Sequence, residues 1–456
     1  MSRRTERVNA FLVAVSLLFA AASPAGAQAA APPMGWSEWD AYGITVTEAD
    51  FRANAAVLAS LKQYGWQYAL FDAGWYMQNP GAADKAGKGY VVDDAGRLTP
   101  AVNRFPSAAN GAGFKPLADW LHARGLKLGI HVMPGIPRQA VEANRPIAGS
   151  PFHAAEAADT THTCSWDSEF YVARENTAGQ AYLDSIFKLY AQWGVDYIKL
   201  GCVSDHPAHP GEIRQIAEAI AKAGRPMVFS LSPGPPSPEV LEIAQRSATA
   251  WRFSEEHWDF WTPEAGQTGH MVGLRQDFDL FEKWASAATT GHWIDGDVLP
   301  AGWLGPHPAW GEARATRLTH DERRSEFALW AFARSPLFMG ANLTQLDAFT
   351  RALMTNREIL AINQTAQESH PVRELPASFE NLRVWEAQTQ AGGRARSYLA
   401  FFNIEDKPVV LHATWAQFGV KGAHSARSLW DGKRTKAAPT LEATIAAHGC
   451  AVYEVE

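Results

Sequence analysis

The side chains equipped for chemistry in this chain are mostly carboxyls, set beside tryptophans at the ends of short apolar runs. In chain order they are Trp36 and Trp39, Asp72 and Trp75, His131, Lys199 and Asp205, Arg252 with Glu255 and Glu256, and Asp295 with Asp297. Paired carboxyl groups supply acid, base or nucleophile at an acetal carbon, and flat aromatic faces hold a sugar ring. The inventory therefore points to glycoside chemistry, and the 18 Trp exceed what a core of this size needs. Other chemistries lack their residues: no His or Cys cluster has metal-ligand spacing, no Gly-rich loop follows a strand to cradle phosphate, and no Ser stands in a G-x-S-x-G elbow. The stretch HPAHPGE (206–212) has two His separated by Pro and no third ligand, so it reads as a turn. No cofactor is expected.

Such scattered residues need a frame that brings them together. Past residue 31 the chain repeats one theme, a short apolar run ending in polar or aromatic residues and followed by a helical stretch. The runs are PPMGWSEWD, YALFDAGWY, LKLGIHVMP, VDYIKLGCV, PMVFSLSPG, ATAWRFSEE, GHWIDGDVL and SPLFMGANL. Eight strand-then-helix units predict an α/β fold, a (β/α)8 TIM barrel over 31–367. The strand tails of a barrel meet at one face, so the residues above form a single cup. Segment 211–224 has apolar positions at helical spacing and a Gly stop. Farther on, SYLAFFNIEDKPVVLHATW and ATIAAHGCAVYEVE alternate at period two, which predicts a small antiparallel β-sandwich over 368–456.

Composition bounds the partners. With 456 residues, 46% hydrophobic, the chain buries one large core and leaves room for a second domain. The net charge of −7 and the absence of a Lys/Arg run argue against nucleic acid. The N-terminus carries Arg3, Arg4 and Arg7, an apolar run from Ala10 to Ala22 and a small-residue site at Ala25-Gly26-Ala27. It reads as a signal peptide over 1–27, giving a secreted or periplasmic protein with no membrane segment after cleavage. Export permits disulfides. Cys202, at the end of the fourth run, is expected to bond Cys164 in the loop before it, while Cys450 stays free and buried.

The motifs PPMGWSEWDAYG, GFKPLADWLHARGLKLGIH, WGVDYIKL, RPMVFSLSPGP, WRFSEEHWDFW and GHWIDGDVLP, in this order, resemble glycoside hydrolase family 27, the α-galactosidase (melibiase) family. The likeness runs from about residue 31 to the end of the chain. It implies a carbohydrate substrate, an α-galactoside or a related glycoside, and a retaining mechanism: one carboxylate attacks the anomeric carbon and a second protonates the leaving oxygen. By position it implies that Trp39 contacts the ring and that Asp72, Lys199, Arg252 and Asp297 bind the sugar. The acid/base falls on Glu256, a Glu where the family has Asp. Its neighbour Glu255 should face away, since adjacent residues cannot both point into the cup. Ala73 stands where animal and plant members carry a second Asp, and His131 where animal members carry Tyr. The nucleophile is expected two positions after Lys199, and that residue is Gly201.

Glycine cannot attack, polarise or transfer a proton. Asp205, four residues on, can supply the missing carboxylate, at roughly 5 to 5.5 Å from Glu256 for retention or about 6.5 to 9.5 Å for inversion through water. Alternatively the cleft binds a sugar without turnover, or it processes a different glycoside or uses a nucleophile from the substrate. Lys199, Arg252, Glu256 and Asp297 all persist around Gly201, which favours the hydrolase. If only the nucleophile was lost, a gap about the size of a carboxymethyl group should remain, open to a small anion.

Overall fold

The computed structural model describes residues 30–202, 209–264, 270–373, 375, 379–391 and 393–456. Residues 1–27, expected to be a signal peptide, and Asp205 lie outside the described residues.

Each of the eight apolar runs contains a short parallel strand: β1 (Met34–Ser37), β2 (Tyr68–Phe71), β3 (Lys127–Val132), β4 (Tyr197–Leu200), β5 (Val228–Leu231), β6 (Ala250–Arg252), β7 (Trp293–Asp295) and β8 (Leu337–Met339). The helices that follow them are α1 (Glu48–Leu61), α2 (Lys115–His122), α3 (Thr177–Trp193), α4 (Pro210–Lys222), α5 (Pro238–Ser247), α6 (Leu274–Trp284), α7 (His320–Phe332) and α8 (Arg357–Thr365). The strands pair in the order β7-β6-β5-β4-β3-β2-β1-β8, and a parallel bridge between Leu299 and Met339 ties the two edges just past β7. This is the (β/α)8 barrel.

Strand parity decides which side chains enter the barrel. Tyr68 and Leu70 of β2, Tyr197 of β4, Val228 of β5, Val298 and Phe338 form one buried cluster. The alternate residues Ala69, Phe71, Ile198, Phe229 and Leu231 pack instead in the larger core with the helices. Continuing the inward parity past Leu70 gives Asp72, and past Tyr197 gives Lys199 and then Gly201. The register pairs His131 with Lys199, and the Gly201 amide donates to the Val132 carbonyl at 3.0 Å. Trp36 has the opposite parity: it is fully buried, packs on Phe51 of α1 and donates its indole N–H to the Ala341 carbonyl. Trp75 is buried against Phe114 and Trp193. Both are core residues, not cup residues.

The C-terminal strands are β9 (Glu368–Pro371), β10 (Leu382–Ala391), β11 (Arg394–Asn403), β12 (Val409–Thr414), β13 (Ala426–Ser428), β14 (Thr440–Ile445) and β15 (Cys450–Val455). One antiparallel sheet runs β9-β10-β11-β15-β13 and the β12–β14 pair forms a second. Leu382, Val384, Leu399 and Phe401 face Leu411 and Leu441 in the sandwich core. Their alternates Trp385, Ala387, Tyr398 and Ala400 join the barrel's core. His448 adds a polar tie, its ring stacked on Trp261 at 3.8 Å and its Nδ1 2.7 Å from Glu322 of α7.

Cys164 and Cys202 are disulfide-bonded, with Cα atoms 5.8 Å apart. Cys450 is free but only half-buried, and burial of its sulfur pushes the thiol up to about 12. Among the described residues no helix is long and apolar enough to cross a membrane.

Candidate active site

The carboxyl ends of the strands enclose a cavity of about 650 Å³. Trp39 and Asp40 enter it after β1, Asp72 and Ala73 after β2, His131 from β3, Lys199 and Gly201 from β4 and its end, Arg252 from β6, Glu256 from the next loop and Asp297 after β7. The expected sugar-binding residues Trp39, Asp72, Lys199, Arg252 and Asp297 thus meet in one cup with Glu256.

Two ion pairs organise its floor. The Lys199 ammonium donates to Asp72 Oδ2 at 2.6 Å, and Arg252 lies 2.8 Å from Asp297 Oδ1. Burial disfavours the Lys199 ammonium, but the Asp72 and Asp297 carboxylates outweigh it and raise its pKa. Burial likewise pushes Asp72 up, and Lys199 with His131 more than reverses the effect, leaving its carboxyl below the usual range. Asp297 Oδ2 accepts the His257 backbone N–H at 3.1 Å, while its own N–H donates to Asp295 Oδ1 at 2.8 Å. Asp297 has φ +83°, a conformation that turns its carboxylate from the strand toward Arg252.

Glu256 differs from these anions. Burial, reinforced by Asp297, raises its pKa against the pull of Arg252. The Trp258 indole donates to Glu256 Oε2 at 3.1 Å and fixes the carboxyl's direction. Behind it, His257 lies between Asp277 at 2.7 Å and Glu326 at 2.8 Å, all three buried. Burial would lower the imidazole's pKa, but the two carboxylates raise it to about 10. A charged imidazolium therefore anchors the segment that carries Glu256 and contacts Asp297. Glu255, expected to face away, also reaches the cavity lining, and its carbonyl accepts from Arg252 at 2.6 Å. Both adjacent residues line the wall just past β6, where Glu256–His257 pairs in parallel with Met271–Val272.

Asp40 adds an acid to the cup that the motifs did not indicate, while Glu38 and Asp295 are buried near it without lining the cavity. Asp40, next to Trp39, is buried with its Oδ2 unpartnered, and burial together with Asp297 raises it well above the usual range. Glu38 is raised by burial and by Asp72, whose backbone N–H it accepts at 2.6 Å. Asp295 is raised to about 6 by burial. Trp166, two residues past Cys164, lines the mouth and is 43% exposed. Its signal in the sequence was an aromatic beside a cysteine of the bridge. His209 neighbours His162 with ring centroids 5.8 Å apart, and among the described residues no His/Cys/Asp/Glu group is arranged to hold a metal.

The expected gap beside Gly201 is filled. A Cβ built on Gly201 would lie 2.4 Å from His131 Nε2 and 3.3 Å from Trp166 Cζ2. Gly201 does not have positive φ, so room, not backbone conformation, restricts this position. The imidazole across the β3–β4 register occupies the start of the path that a side chain at 201 would take.

Comparison with known proteins agrees with this arrangement. The family model for alpha galactosidase A matches residues 172–365, and that for the alpha galactosidase C-terminal beta sandwich domain matches 379–455. Alpha-galactosidase A of Cellvibrio japonicus is 28% identical over 98% of this chain and 96% of its own length. The alpha-galactosidase of Cyamopsis tetragonoloba is 28% identical over 92% of this chain and 85% of its own. A solved GH27 β-L-arabinopyranosidase from Geobacillus stearothermophilus is 38% identical, with a TM-score of 0.86 over 94% of this chain and 97% of that one. This chain belongs to glycoside hydrolase family 27, the α-galactosidase family.

Proposed function

We propose that this protein is an exported glycosidase that hydrolyses α-galactosides, with Glu256 as the proton donor to the departing oxygen. The observation that carries the reading is a carboxyl whose pKa is raised by burial, set within a cup of fixed charges. A proton donor needs a pKa near the working pH, and Glu256 is displaced in that direction while Asp72 is displaced in the other. Asp72 and Lys199, with Arg252 and Asp297, bind ring hydroxyls, and Trp39 packs on the ring. The catalytic unit is the barrel over 31–367, the sandwich over 368–456 supports it, and residues 1–27 direct export. A second substrate is favoured by the 38% identical relative: a β-L-arabinopyranoside, whose ring has the galactose configuration without the C6 arm.

The test compares 4-nitrophenyl α-galactoside, whose leaving group needs little protonation, with an alkyl α-galactoside. Glu256→Gln is expected to lower turnover of the alkyl glycoside by about 100-fold or more and that of the nitrophenyl glycoside far less. Equal loss on both would make Glu256 a binding residue. Binding of galactose with no wild-type turnover of either would make the protein a sugar-binding module.

A further inference from the structure

We propose that His131 is the catalytic base of this site, activating a water molecule that attacks the anomeric carbon, so that the enzyme inverts configuration. The inference rests on the hydrolase reading above and deepens it. Its first observation is position. The His131 Nε2 atom stands 2.4 Å from where a Cβ of residue 201 would be, at the strand end where a carboxylate would otherwise project toward the sugar. His131 lines the cavity together with Gly201, Lys199 and Asp72.

The second observation is that the ring is held by its surroundings rather than by a partner. Its Nδ1 is buried and without a hydrogen-bond partner, while the Trp75 indole clamps the backbone by donating to the His131 carbonyl at 2.8 Å. Trp166 covers it, ring centroids 6.2 Å apart. A structural histidine in a core satisfies its ring nitrogens. This one leaves Nδ1 unsatisfied and points Nε2 at the vacated position.

The third observation is charge state. The charged groups that act on the ring are Asp72 of the β2 end and Lys199 of β4; burial dominates and lowers His131 to about 4. At neutral and mildly acid pH the imidazole is therefore uncharged and able to accept a proton.

The step balances without a co-reactant. In the tautomer that carries its proton on Nδ1, the imidazole accepts a proton from water at Nε2 as the water oxygen bonds to the anomeric carbon. The glycosidic C–O bond breaks on the opposite face, and its electron pair takes the proton of Glu256. Imidazolium and carboxylate remain, and transfer of one proton between them through solvent restores the start.

The experiment follows 4-nitrophenyl α-galactoside hydrolysis by wild-type protein with proton NMR of the first product. Inversion gives β-galactose, and the acid limb of kcat/KM is expected near pH 4. His131→Ala, with galactose binding and thermal stability measured alongside, is expected to lose about 100-fold or more in kcat. Azide should then enter the emptied space and yield β-galactosyl azide. First-formed α-galactose overturns the proposal while leaving the hydrolase reading intact. So does an inverting enzyme that keeps its rate in His131→Ala but loses it in Asp205→Asn. Absence of any wild-type turnover overturns the hydrolase reading and this one with it.

Discussion

At position 201, a side chain and the imidazole of His131 compete for one volume. The competition predicts that a carboxylate cannot simply be put back. Gly201→Asp places a Cβ 2.4 Å from His131 Nε2. Overpacking of this kind costs about 1 to 3 kcal/mol, and burial of one more carboxyl among Asp72, Glu256 and Asp297 adds to it. The single variant is therefore expected to unfold at lower urea and to gain no retaining activity. Combining it with His131→Ala removes the obstruction, so the double variant should recover stability and release α-galactose first. Wild-type stability together with retaining turnover in the single variant would show that the imidazole yields freely. Lys199 argues in the same direction, since its ammonium is committed to Asp72 at 2.6 Å and does not depend on a carboxylate at 201. The site is organised around the residues it has.

The connection between β3 and β4 is pinned to the end of β4 by one covalent bond. The Cys164–Cys202 bridge spans a sequence separation of 38 and fixes Trp166 at the cavity mouth. In the chain-entropy picture a loop of that length is worth about 4 kcal/mol. Replacing both cysteines by Ser should lower the unfolding free energy by roughly that amount and raise KM more than it lowers kcat, because the lip moves and the strand-borne groups stay. An unchanged melting temperature with unchanged KM would show that packing alone holds the lip. The strands themselves were legible because each run is short, apolar and ends in a polar tail, and the same period-two parity that fills the barrel with Tyr68 and Tyr197 delivers Asp72 and Lys199. Parity also explains the misreadings. Trp36 sits one position out of phase with the inward residues and meets α1. Trp75 follows a turn at Gly74, φ +92°, beyond which strand parity no longer applies. The filling of the space at Gly201 was not legible, because it depends on the register between β3 and β4, which pairs residues 68 positions apart.

Across the whole molecule the buried carboxyls are displaced mainly upward, and this sets how stability responds to pH. Burial raises Glu38, Asp40, Glu256 and Asp295, the last to about 6, and it raises Glu212 to about 7. His257 is raised to about 10 by Asp277 and Glu326. Each such group keeps a proton in the folded state that the unfolded chain has released, so stability is complete below the unfolded pKa and is lost as pH rises toward the folded one. The opposing groups act lower: His131, near 4 in the fold, and His209 favour folding as pH rises only up to about 6.5, and depressed carboxylates such as Asp72 act below about 4. Between pH 6.5 and 9 the retained proton of His257 governs, with Glu212 adding at the lower end, and His257 alone contributes a slope of at most about 1.4 kcal/mol per pH unit. The urea midpoint is therefore expected to be lower at pH 9 than at pH 6.5. An equal or higher midpoint at pH 9 would mean that the His257 imidazolium is not held by its two carboxylates. Under the proposed mechanism the same burial serves the chemistry: Glu256 would need its proton to protonate a leaving oxygen, so loss of activity and loss of stability on the alkaline side are expected to share a cause in the burial of acids at the barrel mouth.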